Sequence, residues 1–336
     1  MRERGRFVSL SENQVHDASL EDYIPIDLKK ILPDRPVAFS LYYPVYTASK
    51  KELTFSTIAG EGEVFKREMW QFLAKRGIAS VYAHKSSLTA MTTYFEELTR
   101  CCIDSSETSL EEKTQSMYRH AEFLVETIFR DPEMGHIIGD ASRWAGMVGE
   151  FFQKDPVTPA YLCRMFAKDY TTFTHSIQVS LLGMAFGTHL AWGVEEISDF
   201  GVGSLLHDLG KIWIDNHILK KPGTLTQDEL SHVRRHPRLG HDHLRGISAV
   251  PPRALEIVLQ HHENSDGSGY PLGLVEKEIA PLARVAHIVD CYDALTTKRP
   301  YKGPLTPYRA LRLMHEGMRE SFDSRFFSRF IDFLGK

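Results

Sequence analysis

The sequence predicts an α+β protein overall, with an all-α helical bundle at the C-terminal end preceded by a small α/β module. Three observations lead there. At 336 residues the chain is too long for one ordinary core, so more than one domain is expected. Residues 1–100 mix β-branched and aromatic runs with two short helical patterns. From about residue 160 onward the apolar spacing is helical almost throughout.

A hydrophobic content of 42% with 25% charged residues describes a soluble globular protein. The formal net charge of -4 argues against a partner as large and anionic as a nucleic acid polymer, while leaving room for a small anion held by a few placed cations. The charged start Met1–Arg6 is followed by no signal-peptide core. The most apolar stretch, Val179 to Val194, is interrupted by Ser180, Thr188 and His189, which suits a buried helix better than a membrane span. Of the four cysteines, Cys101 and Cys102 are neighbours while Cys163 and Cys291 stand alone. With no CxxC pair and no disulfide framework, a reducing cytoplasm is the expected setting.

In chain order, Val37–Tyr46 and Leu53–Ile58 read as a hairpin, Val64–Lys75 as a helix stopping before Gly77, Ile78–Tyr82 as a third strand and Leu88–Thr99 as a second helix. Nothing in this module has catalytic spacing, and His84 reads as an ordinary surface or satisfied histidine. The polar run Asp104–Ser109 marks the expected domain boundary. Residues 101–160, with helical spacing through Met117, Leu124, Ile128, Trp144 and Val148, form a helical linker or stalk, or else plain core helices. Residues 161–336 form the helical domain. Within it Asp199–Leu209 is one helix, Thr226–Glu229 a capping box, and Pro252, Pro281 and Pro307 open helices that run to His262, Thr296 and Met318.

Twelve of the sixteen histidines lie at or after position 175. His175, His207, His236, His261 and His262, with Asp208 and Asp290, each fall within or at the end of an expected helix, so a bundle could converge them on its interior. Nitrogen and oxygen donors without sulfur suit iron, manganese, zinc or nickel. Gly210 is placed to stop the helix carrying His207 and Asp208, with Lys211 on neighbouring surface. His232, His241, His243 and His287 fit no ligand position, and Asp293, one turn beyond Asp290, is open to either a site-facing or a capping role.

The motifs His207-Asp208-Leu209-Gly210-Lys211, His236-Pro237, His261–Pro271 with Gly269-Tyr270-Pro271, Val289–Thr296 and Arg299–Lys302 together resemble the HD-GYP family of the HD metal-dependent phosphohydrolases, over about residues 165–334. The resemblance implies an HD-type helical bundle that hydrolyses cyclic di-GMP to linear pGpG or GMP. It implies that His175, His207, Asp208 and Asp290 hold one metal and that Asp208, His236, His261 and His262 hold a second, with Asp208 bridging. Two such divalent ions, iron or manganese, would activate a shared water. Lys211 would neutralise charge on the phosphate or support the water network, Arg299 and Lys302 would hold the remaining phosphate oxygens, and Gly269 and Tyr270 would contact the substrate, with Asp208 and Lys211 in the catalytic role. In some relatives a glutamate four residues before the first histidine binds a third metal; Thr171 stands there, so two metals are expected. Asn264 and Ser265 replace the arginine and tryptophan often found after the His-His-Glu run. The Gly-Tyr-Pro loop, with Gly267 and Gly269 turning Tyr270 outward, could dock a diguanylate cyclase, and a homodimer is compatible with the stalk. Two rival readings remain at this point: a scaffold signalling through protein contacts, and a hydrolase of another cyclic dinucleotide or a phosphomonoester.

Overall fold

The computed structural model describes residues 16–17, 20–47, 52–133, 135–155, 172–297 and 303–335. Contacts divide the chain into two compact units, Met1–Leu98 and Thr99–Lys336.

The first unit is built on a five-stranded antiparallel sheet. Its strands are β1 (His16–Asp17), β2 (Tyr23–Asp27), β4 (Leu41–Thr47), β5 (Glu52–Ala59) and β7 (Ser80–His84), in the order β1-β5-β4-β7-β2. The expected hairpin is β4–β5, paired with Tyr43 opposite Ser56 and Val45 opposite Thr54. Alternation buries Ile24 and Ile26 of β2 and Val81 and Ala83 of β7, the pattern of a sheet with one covered face. The helix expected from Val64 begins later. Val64–Phe65 instead forms β6, paired with β3 (Arg35–Pro36), and α1 runs Arg67–Lys75. The cause lies far off in sequence: the Asp34 carboxylate accepts the Arg67 backbone N–H at 2.9 Å and so caps the helix there. Helix α2 (Leu88–Asp104) follows, and the division between units falls inside it, ahead of the polar run.

The second unit is helical. Ser109, at the end of that polar run, caps α3 (Leu110–Arg130): Glu112 N–H donates to Ser109 Oγ at 3.2 Å and Ser109 N–H to Glu112 Oε2 at 2.9 Å. Then come α4 (Gly135–Lys154), α5 (Thr172–His189) and α6 (Val194–Leu206). Helices α3 and α4 pack on α5 and α6, burying Met117, Leu124, Trp144, Val148 and Phe152. Helices α3 and α4, which lie in the segment read as a linker or stalk, thus contribute buried apolar side chains to this unit. The apolar stretch that begins at Val179 is mostly α5, buried through Ile177, Val179, Leu181, Leu182 and Phe186, and it breaks at Ala191, whose φ is 62°. No described helix is long and apolar enough to cross a membrane.

The remaining helices are α7 (Asn216–Leu219), α8 (Gln227–Val233), α9 (His236–Leu244), α10 (Pro252–Gln260), α11 (Pro281–Thr296), α12 (Pro307–Gly317) and α13 (Ser324–Leu334). Prolines open α10, α11 and α12 as read from sequence, and the Thr226–Glu229 capping box opens α8. Packing of α10 on α6 and of α11 on α5 brings parts of four helices to one place.

Candidate metal centre

Helix α6 ends at Leu206, short of the expected Leu209, because the chain tightens into a 3-10 turn over Leu209–Trp213. His207 and Asp208 occupy the joint between the two. Gly210 is not the residue that stops α6. A side chain at its Cα would place Cβ 1.9 Å from the His236 carbonyl oxygen and 2.7 Å from Gly240 N, so the 3-10 turn lies directly against the start of α9. That contact seats His236 beside Asp208. His175 comes from α5, His261 and His262 from the end of α10, and Asp290 from α11.

Three imidazoles are oriented alike. Nδ1 of His207 lies 2.7 Å from the Ser204 carbonyl and Nδ1 of His236 lies 2.9 Å from that of Val233. Nδ1 of His261 lies 3.0 Å from that of Val258. A carbonyl can only accept, so each ring carries its proton on Nδ1 and turns an unprotonated Nε2 inward. Two of these lone pairs meet, with His236 Nε2 at 3.2 Å from His261 Nε2. His207 Nε2 and Asp208 Oδ1 are buried without a hydrogen-bond partner. The carboxylate of Asp208 faces both ways: Oδ2 is 3.5 Å from His207 Nε2, and Oδ1 is 3.3 Å from His236 Nε2. His175 is held between two aspartates, Nδ1 at 2.7 Å from Asp293 Oδ2 and Nε2 at 3.0 Å from Asp290 Oδ1. His262 Nδ1 is 3.9 Å from the second oxygen of Asp290.

Converging lone pairs and carboxylates, buried and facing one another, leave repulsion that a cation removes, so the donor set fits metal ions. Among the described residues two groups have ligand atoms all within 4.8 Å of one another: His236, His261 and His262, and His175, His207 and Asp208. The electrostatics agree. Burial pushes His261, His262 and His207 below the ordinary imidazole range, so they remain neutral donors. Burial acts to raise Asp208 and Asp290, yet Lys211 and His207 hold the first, and His175 the second, well below the usual carboxylate range.

All seven histidine and aspartate candidates thus lie together, and Lys211 Nζ joins them 2.5 Å from Asp208 Oδ2. Arg299, Lys302 and Thr171 lie outside the described residues. Asp293 was legible only as one of two options; its hydrogen bond to His175 makes it an orienting partner. His287 is buried, with Nδ1 3.0 Å from the His261 carbonyl, where it steadies the end of α10. His243 lies away from this group, its Nε2 3.1 Å from the Pro132 carbonyl.

Sequence reasoning missed Glu263. It is buried at 1% exposure, and its two oxygens accept the backbone N–H groups of Leu272 at 2.6 Å and Leu274 at 2.9 Å. Its position directly after His261-His262 was the available signal. The loop 264–275 is thereby folded back on the histidine pair. Gly269 has no space for a side chain, since Cβ would lie 2.2 Å from Asn264 N. A side chain there would meet the chain's own backbone, which is the close approach that requires glycine. Tyr270 does not point outward as expected. Its ring packs 4.7 Å from that of His262 at an interplanar angle of 30°, because Glu263 and Gly269 draw the loop inward, and burial raises its phenol above the ordinary range. Glu263→Gln, which puts an amide donor against N–H donors, is expected to cost roughly 1–3 kcal/mol. It should also speed hydrogen exchange at the Leu272 and Leu274 amides; unchanged exchange at both would contradict the anchoring role.

Comparison with known proteins agrees with this arrangement. Residues 163–326 match the HD domain family. That match, over just under half of the chain, supports the resemblance to the HD-GYP branch. It is 36% identical to the cyclic di-GMP phosphodiesterase PA4108 of Pseudomonas aeruginosa over 65% of this chain and 54% of that protein. It is 43% identical to the cyclic di-GMP phosphodiesterase response regulator RpfG of Xanthomonas campestris over 39% of this chain and 35% of that one. A 3′3′-cGAMP-specific phosphodiesterase 1 of Vibrio cholerae is 35% identical over 48% of this chain and 37% of that protein. The chain thus spans about half or less of the length of these relatives. The solved structure of Bd1817, an HDG"Y"P protein from Bdellovibrio bacteriovorus, shares the fold at a TM-score of 0.70 and 19% identity, covering 94% of this chain and 100% of that one.

Proposed function

We propose that this chain is a phosphodiesterase that hydrolyses cyclic di-GMP to linear pGpG, GMP or both, using two divalent metal ions. The observation that carries the reading is Asp208: one buried carboxylate turned with one oxygen to each of two imidazole groups, beside a lysine. His175, His207, Asp208 and Asp290 hold one ion, and Asp208, His236, His261 and His262 the other. Bound there, such ions supply Lewis acidity and a water acidic enough to attack phosphorus near neutral pH.

The protein's own groups prepare the site. Backbone carbonyls fix the tautomers of His207, His236 and His261, and Asp293 that of His175, so their inward nitrogens are donors to metal rather than competing N–H groups. Burial keeps His261 and His262 uncharged, leaving the positive charge for the ions and Lys211. Lys211, 22% exposed at its side chain, faces the phosphate and neutralises charge that develops on it, with Arg299 and Lys302 as further phosphate contacts. Tyr270 lines the pocket against His262. If the loop also meets a diguanylate cyclase, the exposed Asp266, Ser268 and Leu272 are the groups it presents. Iron and manganese suit seven nitrogen and oxygen donors.

The test is direct. Protein purified without oxygen should contain about two metal ions per chain by elemental analysis, following the two-metal arrangement. Loaded with manganese or iron, it should convert cyclic di-GMP to products separable by chromatography. Because a relative is named for 3′3′-cGAMP, that dinucleotide belongs in the same assay; preferential cleavage of it would change the substrate and keep the reaction. Three tightly held ions would overturn the stoichiometry, and metal-loaded protein inert towards both dinucleotides would overturn the activity.

A further inference from the structure

The turn between α8 and α9 carries a cation that the reaction above does not use. Arg234 directly follows α8, and its N–H donates to the Leu230 carbonyl at 2.9 Å. Arg235 N–H donates to the His232 carbonyl at 3.2 Å, and Nδ1 of His236 to the Val233 carbonyl at 2.9 Å. The backbone from Leu230 to His236 is thus tied at successive steps, which holds Arg234 at a set place two residues from a candidate metal ligand.

The guanidinium carbon of Arg234 lies 5.1 Å from the Tyr270 ring centroid, and that ring lies 4.7 Å from His262. Guanidinium, phenol and imidazole therefore form a series running from the exposed rim to the metal centre. Arg234 is exposed and has no carboxylate partner among the described residues. A guanidinium on an aromatic face uses its plane for that contact and keeps its edge N–H donors for a ligand. An uncompensated fork of donors suits a phosphate oxygen pair. Lys211 already sits in the centre, on Asp208, so Arg234 is a second cation, placed on the far side of the Tyr270 ring from His262. A cyclic dinucleotide has two phosphodiesters, of which one reacts at a time.

We propose that Arg234, held against Tyr270, binds the second, non-reacting phosphodiester of the cyclic dinucleotide, an assignment that rests on the functional reading above. It makes Arg234 a selector for substrates with two phosphodiesters over those with one.

Steady-state kinetics on the metal-loaded full chain test this. Arg234→Gln should raise KM for cyclic di-GMP roughly tenfold, the size of one charge-assisted contact, with the loss in KM rather than kcat. The rise should be far smaller for bis(4-nitrophenyl) phosphate, which has a single phosphodiester. In a Tyr270→Leu background, where the platform is gone, the Arg234→Gln effect should shrink. The dependence of log KM on log salt should flatten, because one ionic contact is lost. An equal rise for both substrates would mean that Arg234 acts on the centre itself, and a KM rise with unchanged salt slope would assign it to a guanine edge; either overturns the proposal. Wild-type protein that cleaves cyclic di-GMP beside an Arg234→Gln variant of equal KM would remove this assignment alone. Wild-type protein that neither binds nor cleaves a cyclic dinucleotide would remove the functional reading and this assignment with it.

Discussion

Replacing Asp208 by Ala should take metal content from about two ions per chain to one or none and lower phosphodiesterase activity by roughly a thousandfold or more. Loss of an outer partner that merely orients a ligand typically costs 10–100-fold, and Asp208 is a direct ligand candidate that faces His207 in one cluster and His236 in the other. The variant should stay folded, since the pair it breaks with Lys211 leaves a side chain that is 22% exposed and reaches water. Elemental analysis, activity and circular dichroism on the same preparation separate loss of the site from loss of the fold. A folded Asp208→Ala protein with two ions and full activity would remove the bridging role. Asp208→Asn retains shape but halves the acceptor capacity and should fall between the two.

Gly210→Ala, a change of one methyl group, is expected to have the second largest effect. The new Cβ would lie 1.9 Å from the His236 carbonyl oxygen, and the obstructing atoms belong to helix backbone rather than to a side chain that could rotate away. Relief requires moving the start of α9 off the 3-10 turn. Overpacking of this kind costs about 3 kcal/mol, which in a domain of this size lowers Tm by roughly 6–12 °C. The displacement carries His236 away from Asp208, now 3.3 Å distant, so metal affinity should fall along with stability. Differential scanning calorimetry and metal titration check both. Unchanged Tm with unchanged metal content would show that the two segments separate easily.

The chemistry of the centre was legible in sequence because ligands must be His, Asp or Glu, and their order with Lys211 and Gly-Tyr-Pro follows a recognisable pattern. Helix openings at Pro252, Pro281 and Pro307 were legible for a similar reason: proline has no N–H and is fit for a first turn. What failed depended on distant partners. The start of α1 is set by Asp34, which stands 33 residues before Arg67, and the role of Asp293 by His175, 118 residues away. Gly210 read as a helix stop because glycines often are. It is required instead by a backbone lying beside it in space. Tyr270 read as outward because two glycines flank the turn before it, yet buried Glu263 pulls the loop back onto His262.

The set of candidate ligands, their neutral or anionic character and a helical scaffold to carry them were already written in the residue order, since residue type alone decides which atoms can donate to a metal. Folding in three dimensions set which oxygen of Asp208 meets which histidine, which carbonyls hold His207, His236 and His261, and that Tyr270 lies between Arg234 and His262. Those relations rest on contacts between α6, α9, α10 and the loop after it, and packing, which acts through space, leaves no spacing in the chain from which to read them.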